Sequence, residues 1–123
     1  MKVLVTGGTG LVGSHAAAAI AGGGHELRLL VRRPDQVAVS LGPLGVKVTD
    51  IVMGDVLDED LVSQAIEGCQ AVVHAAAVLS MHPRRAEDIR RTNARATELV
   101  LDDMRSFPSG IVNLYYSRRA PTE

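Results

Sequence analysis

Four glycines crowded between positions 7 and 13, directly behind a short apolar run, restrict this chain more than any other feature: Lys2-Val3-Leu4-Val5-Thr6-Gly7-Gly8-Thr9-Gly10-Leu11-Val12-Gly13. Val3 to Val5 read as a strand buried on both faces, because no polar residue alternates with the apolar ones. Ser14 to Ile20, rich in alanine, reads as a helix. Glycine serves three physical ends at such a junction. It lets the chain reverse tightly, lets the backbone approach a pyrophosphate, and lets the helix lie close against the strand. The start of the helix then offers free N–H groups and the positive end of its dipole to phosphate. Gly8, Gly10 and Gly13 satisfy G-x-G-x-x-G. Between a strand and a helix, that spacing implies the opening of a dinucleotide-binding βαβ unit rather than a merely flexible loop. A P-loop is excluded, since no Lys-Ser or Lys-Thr pair follows the glycines.

The rest of the chain alternates in the same way. Gly22-Gly23-Gly24 stops the first helix, and Leu27 to Val31 forms a second strand with Arg28 as its one charged position. Pro34 ends that strand, Asp35 to Val39 is a short helix or turn that Asp35 caps, and Gly42-Pro43-Leu44-Gly45 is a loop. Val46 to Met53 reads as a third strand, ended by Gly54-Asp55. Asp58 is the N-cap of a helix from Glu59 to Glu67, acidic in its first turn as the dipole prefers, and Gly68 closes it. Ala71 to His74 is a fourth strand, Pro83 marks a loop, and a long helix spans Ala86 to Met104. After Pro108-Ser109-Gly110, Ile111 to Tyr116 reads as a fifth strand. Apolar residues make up 46% of the chain and aromatics 2%, a composition suited to helices stacked on a sheet. The expected fold is therefore α/β: a doubly wound parallel sheet of the Rossmann type, five strands in order 3-2-1-4-5. Residues 1–116 form the dinucleotide-binding domain, incomplete and without a substrate domain, and 117–123 a loose tail.

Thr6, Gly7, Gly10 and Gly13 also satisfy T-G-x-x-G-x-x-G, which resembles the short-chain dehydrogenase/reductase family. The continuation resembles its extended branch, the NAD-dependent epimerase/dehydratase and dihydroflavonol-reductase-like proteins. The resemblance covers about Lys2 to Leu101. It implies that Gly7, Gly10, Leu11, Val12 and Gly13 hold the dinucleotide pyrophosphate. Gly54-Asp55-Val56 resembles the family's adenine-binding turn, with Asp55 and Val56 at the adenine; Asp55 as a helix-entry residue is the alternative, although Asp58 already fills that place. Val73-His74-Ala75-Ala76-Ala77 resembles the segment whose small residues let backbone pass the ribose and nicotinamide, which gives His74, Ala75 and Ala76 a positioning role. Thr92-Asn93-Ala94-Arg95-Ala96-Thr97 resembles the Asn-x-x-Gly-Thr helix segment, with Ala96 in the glycine place. Asn93 would then support an active-site water and proton relay.

The end of the second strand bears on cofactor choice. An acidic residue there takes the ribose 2′-hydroxyl of NAD. Here the strand ends Val31-Arg32-Arg33-Pro34, and a guanidinium can clamp a 2′-phosphate through two hydrogen bonds. NADP is the expected cofactor and NAD the alternative; solvated strand-end charges are the other account of Arg32 and Arg33.

Relatives also carry, after the fifth strand, a Ser and a Tyr-x-x-x-Lys pair, whose Lys lowers the Tyr pKa for proton transfer. This chain has only Lys2 and Lys47, both far upstream. Tyr115 is followed four residues on by Arg119, which keeps its proton and cannot replace the Lys. Two functions stay open. One is the cofactor half of an oxidoreductase or epimerase/dehydratase acting on a small carbonyl, hydroxyl or nucleotide-sugar substrate. The other is a non-catalytic, sensor-like module that holds a dinucleotide.

Other classes find little support. A formal net charge of −1 offers no electrostatic case for nucleic acid or an anionic membrane. The residues beyond Met1-Lys2 lack a signal-peptide apolar core, and no apolar run approaches the ~18 residues of a membrane span. His15, His25 and His82 are scattered, so no metal site is expected. The single Cys69 cannot close an internal disulfide and suits the core, and a cytoplasmic setting is expected. The edge strand Ile111 to Tyr116, with an apolar face on the helix from Ala86 to Met104, leads to the expectation of self-association.

Overall fold

The computed structural model describes residues 1–76 and 86–104. Strands and helices alternate as β1 (Lys2–Thr6), α1 (Leu11–Gly22), β2 (Glu26–Val31), α2 (Asp35–Leu41), β3 (Ile51–Met53), α3 (Glu59–Ile66), β4 (Ala71–His74) and α4 (Ala86–Met104). The strands are parallel and lie in the order β3-β2-β1-β4, the expected arrangement. Strand Ile111 to Tyr116, the tail, and the loop containing His82 and Pro83 lie outside the described residues.

Side chains along a strand alternate between faces, and each face of this sheet carries its own helices. Val3 and Val5 join Leu29, Val31 and Val73 beneath Ala17 of α1 and Val37 and Leu41 of α2. Leu4, Leu30 and Val72 point the other way, beneath Val62, Ala65 and Ile66 of α3 and Val100 of α4. This two-sided burial is why Val3-Leu4-Val5 contains no polar residue. The chain runs outward from β1 to β2 and β3, then returns to β4 on the other side of β1. The connections leaving β1 and β4 therefore cover opposite faces and open a crevice at the C-terminal ends of the strands, where such sheets take ligands.

Several elements differ from their sequence expectations. The third strand was expected from Val46 to Met53, but only Ile51 to Met53 pair, with Leu29 to Val31. Val46 donates its N–H to the Leu41 carbonyl at 3.1 Å, closing the turn behind α2, and Val46 and Val48 pack half-buried on the core. Their apolar character serves packing rather than strand pairing. Helix α1 starts at Leu11, ahead of Ser14, and α2 reaches Leu41 and continues as a 3₁₀ turn, Gly42–Leu44, where a loop was expected. Asp35 does not cap α2: the N-cap is Pro34, without a side-chain cap. Asp58 does cap α3, accepting from the Leu61 N–H at 3.2 Å. The apolar face expected on α4 is turned inward through Asn93, Ala96, Leu99 and Val100. Its outward side carries Glu87, Asp88, Arg90, Arg91, Arg95 and Glu98, and no large apolar side chain of α4 is exposed among the described residues.

Arg28 explains its own presence inside β2. Its Nη1 donates to the carbonyls of Ala65 at 3.0 Å and Glu67 at 2.6 Å, satisfying acceptors that the end of α3 leaves open. Its Nε lies 3.1 Å from Asp50, which also meets Lys2 Nζ at 2.8 Å. Burial alone would raise the Asp50 pKa, but hydrogen bonds from Lys2 and Arg28 outweigh it and hold the carboxyl below its usual range. Replacing the guanidinium by an apolar chain takes a charged donor from two carbonyls and leaves the Asp50 carboxylate to Lys2 alone. Arg28→Met is expected to cost about 1.5–3 kcal/mol, the usual size for hydrogen bonds involving a charged group. Urea unfolding checks this, and a loss of about 0.5 kcal/mol or less, typical of an unconstrained surface position, would count against it.

Candidate functional site

At the C-terminal ends of the strands lies a cleft of about 370 Å³ to which five parts of the chain contribute. Gly7, Thr9 and Gly10 come from the β1–α1 turn, Arg32, Arg33 and Gln36 from the β2–α2 junction, and Gly54 to Leu57 from the end of β3. Ala75 and Ala76 follow β4, and Thr92, Asn93 and Ala96 descend from α4. Of the residues singled out in the sequence, Gly7, Gly10, Arg32, Arg33, Asp55, Val56, Ala75, Ala76 and Asn93 line this one space. Leu11, Val12, Gly13 and His74 do not.

The glycine turn separates into two kinds of position. Gly7 has φ +73°, and a Cβ there would lie 2.5 Å from the Ala76 nitrogen and 2.6 Å from the Ala75 carbonyl. A Cβ on Gly13 would fall on the Gly7 carbonyl oxygen. These two glycines bring α1 and the β4 connection against the end of β1, so the fold itself demands them. Gly10 differs. Its φ of −81° and ψ of 171° suit any residue, and a Cβ would meet only the Gly7 carbonyl oxygen, at 3.3 Å. A Cβ here would crowd that oxygen by a few tenths of an ångström rather than overlap it as at Gly13, and Gly10 lines the cleft. Gly10 is also the N-cap of α1 and supplies no side-chain cap, so the first N–H groups of that helix keep their capacity to bind an acceptor. Leu11, at the head of α1, is 79% exposed.

Charge in the cleft is unevenly committed. Arg33 Nη2 lies 3.4 Å from Asp35 Oδ2, which also accepts from Gln36 Nε2 at 3.3 Å. Arg32 makes no side-chain hydrogen bond or ion pair among the described residues. Across the cleft, Asp55 Oδ1 accepts from the Leu57 N–H at 3.0 Å, which orients the carboxylate. Asn93 is buried at 4% exposure, and its carbonyl accepts from Thr97 Oγ1 at 2.9 Å. Gln36 was not singled out in the sequence; its place in the first turn of a helix that begins just behind two arginines was the available signal.

His74 sits under the cleft rather than in it. The ring is fully buried, and its Nδ1 lies 2.6 Å from Thr6 Oγ1 on the neighbouring strand. Thr6 Oγ1 also accepts from the Ala76 N–H at 3.3 Å. The pair thus ties the segment leaving β4 back to β1 and holds the cleft's floor. Among the described residues Nε2 has no hydrogen-bond partner, and burial pushes the His74 pKa below its ordinary value. Cys69 is buried too, and burial raises its pKa, which leaves an inert thiol.

Comparison with known proteins gives one consistent picture. The NAD dependent epimerase/dehydratase family matches residues 3–118. A putative dihydroflavonol 4-reductase of Synechocystis is 38% identical over 100 residues, 79% of this chain and 27% of that protein. Sterol demethylase protein B of Methylococcus capsulatus is 30% identical over 105 residues, 85% of this chain and 31% of that protein. Among solved structures, a short-chain dehydrogenase/reductase superfamily protein of Agrobacterium tumefaciens with bound NAD superposes with a TM-score of 0.72 at 28% identity. It covers 92% of this chain and 32% of that one. A UDP-glucose-4-epimerase of Stenotrophomonas maltophila, bound to NAD, gives a TM-score of 0.75 at 24% identity, over 92% of this chain and 36% of that one, and shares the fold. The chain thus spans between 27% and 36% of the length of these four proteins.

The buried histidine has a consequence for stability. A His whose folded pKa lies below its unfolded value stabilises the fold fully above the unfolded pKa of about 6.5. That contribution is lost as pH falls from there through the folded pKa. Urea midpoints should therefore drop between pH 7.5 and pH 5.5, and His74→Gln should be less stable at pH 7.5 but flatter across this window. An unchanged slope in the variant would show that another group titrates.

Proposed function

The chain belongs to the NAD dependent epimerase/dehydratase family, and we propose that it forms the dinucleotide-binding part of an oxidoreductase or epimerase/dehydratase with NADP as its preferred cofactor. One observation carries the reading: Gly10, at the head of α1, lines the cleft without a side chain, in a backbone conformation open to any residue and with a single close neighbour for a Cβ, the Gly7 carbonyl oxygen at 3.3 Å. That is the cradle a diphosphate requires, close to the first N–H groups of α1, which have no side-chain cap from Gly10.

The remaining roles follow the length of the cleft. Asp55, its carboxylate oriented by the Leu57 N–H, would accept from the adenine amino group, with Val56 against the ring. Arg32 and Arg33 would take the ribose 2′-phosphate, Arg32 as the uncommitted cation and Arg33 in exchange for Asp35. Ala75 and Ala76, held by Thr6 and His74, would let the nicotinamide half pass close to the backbone. When bound, the cofactor supplies or accepts a hydride. Asn93, buried at the α4 wall, would support the reacting end, next to a small-molecule substrate held by the rest of a full-length family member.

The second reading, a non-catalytic module that holds a dinucleotide, is supported only by the make-up of the described part of the cleft, whose lining carries no lysine. Lys2 pairs with Asp50, which Arg28 at the far end of the sheet also holds, and Lys47 is exposed in the connection before β3. Neither lines the cleft, so the described residues bind and orient without a Lys to lower a tyrosine pKa.

Two substitutions separate binding from folding. Gly10→Val should cost about 1 kcal/mol as a poorer N-cap yet abolish measurable NADPH binding in calorimetric titration. Gly13→Ala should cost about 1–3 kcal/mol through overpacking. Equal NADPH affinity in Gly10→Val and the unmodified chain would remove the diphosphate assignment.

The cofactor preference rests on Arg32. Loss of a charge-assisted contact to phosphate is worth about 1.5–3 kcal/mol, so Arg32→Ala should erase most of the difference between NADPH and NADH. If the unmodified chain binds NADH as tightly as NADPH, the 2′-phosphate reading is wrong.

A further inference from the structure

The turn proposed to receive the diphosphate has few side chains with which to fix its own shape. Gly7, Gly8 and Gly10 have none, and glycine peptides rotate more freely than any other. The restraint comes instead from α2, distant in sequence. Ser40, in the last turn of α2, donates its hydroxyl to the Thr9 carbonyl at 3.0 Å, across 31 residues. At the other edge of the same peptide unit, the Gly10 N–H donates to the Gly7 carbonyl at 3.0 Å. In a trans peptide the C=O and N–H lie in one plane and point in opposite directions. The Thr9–Gly10 unit is thus held at both ends, and its rotation would break both bonds.

Ser40 stands on a firm base. Its neighbour Leu41 and Val37 one turn earlier are both buried in the core under the sheet. Thr9 and Gly10 line the cleft on one side, and Gln36, in the first turn of α2, lines it beside Arg32 and Arg33. Helix α2 therefore joins the arginine end of the cleft to its glycine end. Were the Thr9–Gly10 plane to rotate, the carbonyl would turn its negative end from α2 toward the cleft, opposing an incoming anion.

We infer that Ser40 is a positioning residue for the diphosphate: by holding the Thr9 carbonyl against α2, it keeps the glycine turn in the anion-accepting arrangement. This rests on the dinucleotide reading above and extends it to a residue outside the glycine motif. The hydroxyl touches no ligand and acts only through the peptide.

The test uses the purified chain with Ser40→Ala and Ser40→Thr, titrated with NADPH and with 2′-AMP, which carries the adenine and the 2′-phosphate but no diphosphate. Ser40→Ala should bind NADPH about 5- to 10-fold more weakly, as expected for one lost hydrogen bond. Its 2′-AMP affinity should be unchanged, and Ser40→Thr, which keeps the hydroxyl, should retain NADPH affinity. A merely structural role would weaken both ligands together, and that result overturns the inference. So does an unchanged NADPH affinity in Ser40→Ala, which leaves the cofactor reading standing. An unmodified chain that binds neither ligand overturns both.

Discussion

Everything in this fold depends on how closely α1 lies against the ends of β1 and β4. Gly13 sits on the Gly7 carbonyl oxygen with no room for a Cβ between them, and Gly7 is equally tight against Ala75 and Ala76. Without those approaches the helix could not begin where it does. The first turn of α1 would stand away from the strands, and the crevice between the two halves of the sheet would have no floor. Packing, not flexibility, accounts for these two glycines. Gly10 lies between them under much less pressure, with a Cβ 3.3 Å from its nearest neighbour, and that contrast makes the turn legible as a site.

The surroundings of the cleft repeat this division of labour. Residues that shape it are held by neighbours: the buried Thr6 and His74 beneath the β4 exit, and the half-buried Ser40 behind the turn. Residues that face it are uncommitted or lightly engaged: Arg32 with no partner among the described residues, Arg33 on an exposed carboxylate, and Asp55 with one oxygen engaged by the backbone. At the opposite end of the sheet the pattern reverses. Arg28, Asp50 and Lys2 there are fully paired with each other and with the end of α3. Charge is used for cohesion at one end and left available at the other.

Much of this was legible in the sequence because local and global signals agreed. The glycine spacing, the unbroken apolar run of β1, Ala71 to His74 as β4, the Asp58 cap and the bounds of α4 all appear where their patterns predict. The failures are equally physical. Val46 and Val48 carry strand-like residues but pack on the core without a partner strand, so composition overstated β3. The apolar positions of α4 were seen, but their direction depends on the sheet they cover, which no single helix reveals. Arg28 looked like an isolated charge because its partners lie 22 and 37 residues away. Ser40 was invisible for the same reason: one serine near a helix end carries no signal until the fold brings Thr9 beside it.

The central claim is that a dinucleotide lies along the C-terminal ends of the strands, diphosphate at the head of α1, adenine at Asp55 and 2′-phosphate at Arg32. The most direct measurement is the set of backbone amide shifts followed by heteronuclear NMR as NADP is added to the labelled chain. The account predicts progressive, saturable shifts at Gly10 to Gly13, Arg32 to Gln36 and Asp55 to Leu57, with Lys2, Asp50 and Gln70 at the far end unmoved. Shifts absent from the first three segments, or centred on the Lys2–Asp50 end, would contradict it.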